Sequence, residues 1–223
     1  MRQQKGKIFF IYLFIFLIVS SINNNTLNKI QFENIKNVMI SGLNENENVN
    51  LLKDIKVLNL KNIFFFNGKE ISKVINSNSL VEKYEIFKKY PNTIDIEIEK
   101  TNFLAKINNN GKTFLIGSNG KLSDLKFSDK ELPFIFGKPE ISEFIEFTNI
   151  IEQSKFSLDE IKNLYFFPSK RWDLELKSNI ILKLSKDHTK LSLDQAFAFL
   201  NNNNFNNIKI VDARIKNQII LDE

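Results

Sequence analysis

The longest uninterrupted apolar stretch spans residues 8–19 (IFFIYLFIFLIV), behind Arg2, Lys5 and Lys7. Its side chains are apolar all round, which sets it apart from an amphipathic core helix. Positive charge stays cytoplasmic, so the pattern predicts a tail over 1–7, a hydrophobic helix over 8–22 and export of everything after Ser21. That helix rises about 22 Å at 1.5 Å per residue, against a hydrocarbon core of about 30 Å. Length alone leaves two readings open. One is an anchor helped by snorkelling of Lys7 and by Ser20, Ser21 and Asn23 at the interface. The other is a secretory signal cleaved near Val19-Ser20-Ser21.

After an Asn-rich linker (23–34) the rhythm shortens. Ile35, Val38 and Ile40 run into Ser41-Gly42-Leu43, a strand closed by a glycine turn. Leu51, Leu52 and Ile55 share one helical face, and so do Ile71, Val74 and Ile75 beyond Asn67-Gly68. Tyr84, Ile86 and Phe87 lead to Lys88-Lys89-Tyr90-Pro91-Asn92, a turn marked by its proline. Ile94, Ile96 and Ile98 alternate with Asp95, Glu97 and Glu99, giving a strand with one wet face. Residues 35–100 therefore predict the order β-α-α-β-β. Between the two helices, Phe64-Phe65-Phe66 is expected in the core. A membrane-facing patch is the sharper alternative, since three adjacent apolar residues cannot all face one side.

The remainder, 101–223, reads mostly as strands. Residues 113–116 run into Ser118-Asn119-Gly120, a hairpin signal. A short strand is expected over 132–137 and a helix over 141–154, with Phe144, Phe147 and Ile151 on its face. Three strands follow at 161–167, 172–176 and 180–184. A further helix carries Leu193, Ala196, Phe197 and Leu200, and the Asn cluster 201–204 reads as a loop. Residues 208–215 and 219–221 close the chain, joined at Lys216-Asn217-Gln218. The fold class expected is α+β, with the N-terminal helix ahead of two units.

Composition adds constraints rather than chemistry. The 22 Phe among 223 residues, with many Asn, Lys and Ile, can fill a core, and look like the mark of an A+T-rich genome. With no Cys there is no disulfide, thiolate metal site or cysteine nucleophile. The net charge of +5 comes from alternating Lys and Glu rather than a basic stripe, which disfavours nucleic acid. His188, the single histidine, lies in a polar stretch without partners for a zinc site or a triad. Ser118-Asn119-Gly120-Lys121 and Ser123-Asp124-Leu125-Lys126 match Ser-x-x-Lys but lack the companion Ser-Asp-Asn and Lys-Thr-Gly elements. Ser118 and Ser123 are therefore read as solvated turn residues. No catalytic, cofactor or metal residues are assigned.

Tyr90-Pro91-Asn92-Thr93-Ile94, followed by Ile96-Glu97-Ile98-Glu99-Lys100, resembles the end of a POTRA domain of the FtsQ/DivIB cell-division proteins. Arg171-Trp172-Asp173-Leu174-Glu175-Leu176-Lys177 and Val211-Asp212-Ala213-Arg214-Ile215 are similar to the family's β domain, especially in alphaproteobacteria. Leu115-Ile116 with Gly120, and Leu132-Pro133 with Gly137, fit the same template in order. Three positions depart from it: Gly117 replaces a frequent aspartate, Ser185 a proline, and Lys106 an aromatic residue.

The resemblance implies a single-pass inner-membrane protein, POTRA domain 35–100 and β domain 101–223, with its bulk periplasmic and placed at the septum. It implies a scaffold without catalysis or small-molecule substrate, linking early and late division proteins through FtsB and FtsL, with FtsK, FtsW and FtsI as further partners. It places the partner edge at the C-terminal strand. In this chain that means Arg214, Ile215, Lys216, Asn217, Gln218, Ile219, Ile220 and Leu221, with Arg214 to hold a partner carboxylate and the POTRA unit as a second docking surface. Packing Ile215, Ile219 and Ile220 into the core is the competing expectation for that segment. Gly42, Tyr90, Pro91, Trp172 and Asp173 are assigned structural roles. The rival functions are a POTRA-bearing secretion or outer-membrane assembly component and a cleaved exported enzyme.

Overall fold

The computed structural model describes residues 3–21, 34–60, 62–128, 130–202 and 208–222. Arg2, Ile22, linker residues 23–33 and Asn203-Asn204 of the expectations above lie outside them. Helix α1 (Gln3–Ser21) has every side chain from Ile8 to Val19 exposed. Among the described residues no helix is long and apolar enough to cross a membrane.

The first unit follows the predicted order: β1 (Asn37–Ser41), α2 (Glu45–Lys56), α3 (Lys69–Ser77), β2 (Val81–Lys89) and β3 (Thr93–Lys100). Its sheet runs β1-β3-β2, with β1 parallel and β2 antiparallel to the central β3. Ile94, Ile96 and Ile98 of β3 pack against Leu51, Ile55, Ile71 and Ile75 of the two helices. Gly42 makes this possible. Its φ is +105°, and a Cβ there would stand 1.7 Å from the Ile98 carbonyl oxygen, so only glycine fits the turn.

Two expectations need correction here. Asp95 was placed on a wet face, yet it is buried, bound by Lys89 and flanked across the sheet by Met39 and Phe87. The Phe64-Phe65-Phe66 run was placed in the core. Ile63 takes that place with no exposure, Phe66 packs only in part, and Phe64 and Phe65 are 54% and 79% exposed. A single turn can direct only some of four consecutive side chains inward, and this one buries the aliphatic residue.

The second unit is a nine-stranded sheet in the order β12-β11-β10-β9-β8-β7-β4-β5-β6. Its elements are β4 (Phe103–Asn109), β5 (Lys112–Gly117), β6 (Leu122–Asp124), β7 (Phe134–Phe136), α4 (Ile141–Glu152), β8 (Ile161–Phe166), β9 (Trp172–Leu176), β10 (Ile181–Leu184), α5 (Thr189–Asn202), β11 (Ile210–Ala213) and β12 (Ile220–Asp222). Strands β4 and β6 were not anticipated, and the predicted strand 208–215 shortens to four residues. Asn201 and Asn202, read as loop, are the last turn of α5. Ile135, Leu164, Leu174, Leu182 and Val211 share a core with Phe144, Phe147, Leu193 and Ala196 of α4 and α5. Trp172 belongs to this core, stacked on Phe147 at 4.6 Å and tilted against Phe166 at 4.7 Å.

A polar network joins the two units, and it overturns the solvated-turn reading of Ser118 and Ser123. Ser118 Oγ donates to Glu82 Oε2 at 2.7 Å, beside Thr101 Oγ1, which donates to the same oxygen at 2.9 Å. Asn119 Nδ2 donates to the Ser79 and Val81 carbonyls at 3.0 and 2.9 Å. Ser123, 3% exposed, donates to Ser79 Oγ at 2.7 Å. Lys121 Nζ donates to the Asn76 and Asn78 carbonyls. The turn is polar because it faces another unit's backbone rather than water. The glycine at 117 fits the same arrangement, since a Cβ there would lie 2.7 Å from both Asn119 Oδ1 and Thr101 Oγ1. Replacing Asn119 by Ala leaves two carbonyls without their donor and is expected to cost about 2 kcal/mol, read as a lowered urea midpoint of the purified chain.

Candidate partner-binding edge

Among the described residues, helices α4 and α5 cover one face of the large sheet over β8–β11. Leu182 and Leu184 of β10 and Val211 and Ala213 of β11 point toward α5 and are buried. By strand alternation, Lys183 and Asp212 point to the other face. Cross-strand register there aligns Phe136, Tyr165, Asp173, Lys183, Asp212 and Ile220 in one row. The row is aromatic at β7, with Phe136 stacked on Tyr165 at 5.2 Å, and charged toward β12.

The charges are matched locally. Asp173, 4% exposed, accepts from Arg171 Nε at 3.0 Å, from Arg171 Nη2 at 3.2 Å and from the Leu184 N–H at 3.3 Å. Asp212 accepts from Arg214 Nε at 2.8 and 3.0 Å and from the Arg214 N–H at 3.1 Å. These bonds hold the Asp212 carboxyl below the usual carboxylate range. Glu175 accepts from Asn163 and Lys162 at 2.8 Å and from Tyr165 at 2.7 Å, and its pKa falls to about 2.

The edge itself is short. Asn217, with φ 62°, turns the chain, and Gln218 N–H donates to the Ile215 carbonyl at 3.1 Å. The final strand then starts at Ile220, so the expectation that Ile219 lies within it is corrected. Ile219 is partly buried against the main core instead, because the turn at 215–218 uses the residues needed to extend the ladder. Ile215, Ile220 and Leu221 are exposed at 52%, 47% and 39%. The Ile181 N–H donates to the Lys209 carbonyl, so odd-numbered residues of β11 turn their backbone to β10 and even-numbered ones to β12. Asp212 faces Ile220 and Ile210 faces Asp222 in that ladder, which leaves the N–H and C=O of Leu221 directed outward.

The structure thus gathers Arg214 to Leu221 at one place but engages Arg214 with its own Asp212. Lys216 and Gln218 are exposed, and Asn217 accepts from Gln195 at 3.1 Å. Sequence reasoning missed Arg171, Lys183 and Asp212 as neighbours of this edge. Their one available signal was a charge at every second position of adjacent strands. His188 lies in an exposed turn before α5. Among the described residues no group of three His, Asp or Glu side chains is placed to hold a metal ion.

Comparison with known proteins decides the relationship. Residues 33–100 match the POTRA domain of FtsQ type, and residues 98–214 match the C-terminal region of cell division protein FtsQ/DivIB. The chain belongs to the FtsQ/DivIB cell-division family. It is 28% identical over 197 residues to FtsQ of Rickettsia typhi, covering 85% of this chain and 72% of that protein. DivIB of Staphylococcus aureus is 30% identical over 105 residues, 44% of this chain and 24% of its own. The major extracytoplasmic domain of DivIB from Geobacillus stearothermophilus superposes with a TM-score of 0.34 at 16% identity, over 47% of this chain and 97% of that domain, too low a score to speak for the fold. As a member of the FtsQ/DivIB family the chain has a role in cell division.

The depressed Glu175 pKa gives a test of this face. A carboxylate whose folded pKa lies below its unfolded value adds stability above the unfolded pKa and loses it as pH falls toward the folded one. The window runs from 4.5 down to about 2. Across it the Glu175→Gln chain is expected to lose less stability than the unmodified chain, measured as thermal midpoints in matched buffers.

Proposed function

We propose that this chain is a bitopic, non-catalytic scaffold of the division machinery, anchored through 8–22, with a POTRA unit over 35–100 and a β domain over 101–223. Its C-terminal edge captures an extended segment of an FtsB–FtsL partner by β-addition. FtsK, FtsW and FtsI are the further partners, and the POTRA unit is the second surface that meets them.

One observation carries the edge reading: of the two ends of the sheet, β6 is flanked by the POTRA unit through Ser79, Asn76 and Asn78, whereas among the described residues no strand pairs with the outer side of β12. An incoming segment would bond to the outward groups of Leu221 while the charged row, Arg171 to Arg214, selects its side chains. Arg214 then acts while already paired with Asp212, so it presents a charge-balanced fork rather than a lone cation.

Proline substitutions separate the two sides of β12. Leu221→Pro removes an outward donor and leaves the β11 ladder intact, so the chain should fold, reach the membrane and fail to retain the partner in a pull-down. Ile220→Pro removes a donor facing β11 and should loosen the last strand as well. Normal partner capture by Leu221→Pro would place the contact elsewhere, with the POTRA surface next.

The anchor is supported by the uncharged run of α1, whose side chains from Ile8 to Val19 are all exposed. Its shortness is met by snorkelling of the preceding lysines and by local thinning of the bilayer. Full-length protein should remain in the inner-membrane fraction through carbonate washing, its C-terminus open to protease from the periplasmic side. Recovery of a soluble mature form beginning near Ile22 would replace the anchor by a cleaved signal.

A further inference from the structure

The turn between α2 and α3 buries Ile63 in the core of the first unit and leaves Phe64 and Phe65 outside it. Asn62, buried, accepts the Phe64 N–H on its side chain at 2.8 Å and the Phe65 N–H on its carbonyl at 3.1 Å. This fixes a tight turn with Phe64 and Phe65 at its tip. Tyr90, 60% exposed at the β2–β3 turn, meets the Phe64 ring at 5.1 Å. Lys88 Nζ donates to the Phe66 carbonyl at 2.8 Å, and Lys69 opens α3 with its N–H on the Asn67 side chain at 3.1 Å.

The chain coming from α1 joins the unit at this same place. Asn34 forms a β-bridge with Asn62, and the Lys36 N–H donates to the Asn92 carbonyl at 2.9 Å. Residues 22–33 separate Ser21 from Asn34, a stretch that can reach at most about 45 Å.

We propose that Phe64, Phe65 and Tyr90 form a foot that rests in the headgroup region of the bilayer holding α1. The inference rests on the anchor reading. Aromatic rings favour that interface, and Lys36, Lys69 and Lys88 around them complement anionic headgroups. The apolar residues stand on a convex tip, which suits a deformable lipid surface better than a protein partner that needs a matching groove. The tether supplies a high local concentration of bilayer, so weak seating is enough to orient the POTRA unit.

The chain has no Cys, so single cysteines report unambiguously. Full-length protein carrying Phe65→Cys, or Phe136→Cys on the large sheet, is labelled with an environment-sensitive dye and placed in nanodiscs containing phosphatidylglycerol. The label at 65 should be blue-shifted and quenched by lipids spin-labelled near the headgroup, with neither change at 136. Emission at 65 matching that at 136, in a chain that does enter the nanodisc, overturns the foot alone. A full-length chain that does not enter lipid overturns the anchor and the foot together. Shielding at 65 that arises only when FtsB–FtsL is added assigns the turn to a protein and also overturns the foot.

Discussion

One-sided burial of a nine-stranded sheet governs the second unit. Helices α4 and α5 pack on the same core, where Trp172 of β9 meets Phe144 and Phe147 of α4 and Phe166 of β8. Each strand therefore places alternate residues in water or against charged neighbours. Asp173, Glu175 and Asp212 are tolerated because each carboxylate accepts from a donor close by on its own or the adjacent strand segment. Among the described residues no buried side-chain nitrogen or oxygen lacks a partner. A sheet of this size without a disulfide holds its register through that separation, since a one-residue slip would bury the charges and expose the leucines.

The same sheet has two ends with different surroundings. At the turn between β5 and β6 the POTRA unit contributes Glu82 and the carbonyls of Ser79 and Val81, so the polar side chains of that turn are engaged within the chain. Strand β12 lies eight strand spacings away, about 38 Å at 4.8 Å each. Polar contacts between the units are well suited to fixing their relation, because each bond has a direction that an apolar contact lacks.

Much of this was legible in the residues. Alternation of Ile94, Ile96 and Ile98 announced β3, and the spacing of Leu51 with Ile55 and of Ile71 with Ile75 announced α2 and α3. Strand β4 was not legible: Ala105 and Lys106 weaken the alternation, and Asn108-Asn109-Asn110 reads as compositional bias rather than as the hairpin it makes with Gly111. Ser118, Asn119 and Ser123 misled for a different reason. A polar turn against water and a polar turn against another unit's backbone have the same sequence, and only the tertiary contact separates them. Asp95 belongs to the same class, a charge kept in a strand because Lys89 reaches it. The last strand was legible at the end of the chain but not in its bounds, since the turn at Asn217 consumed Ile219.

What remains available for recognition follows from what has already been used. The buried carboxylates and hydroxyls are engaged within the chain, so side-chain chemistry on the helix-free face is largely balanced before any partner arrives. Main-chain groups at Leu221 and the apolar surface of Ile215, Ile220 and Leu221 are not balanced in this way. Under the β-addition proposed above, an extended segment pairs its backbone with Leu221 and covers the adjacent aliphatic residues. The charged pairs alongside then act mainly by exclusion. A segment placing a like charge beside the Arg214–Asp212 or Arg171–Asp173 pair must be desolvated without compensation, whereas one that continues the alternation of charge along the row is not. Under that proposal specificity comes from the order of charges across β9, β10 and β11, and affinity from a few main-chain bonds and apolar contacts on either face of β12.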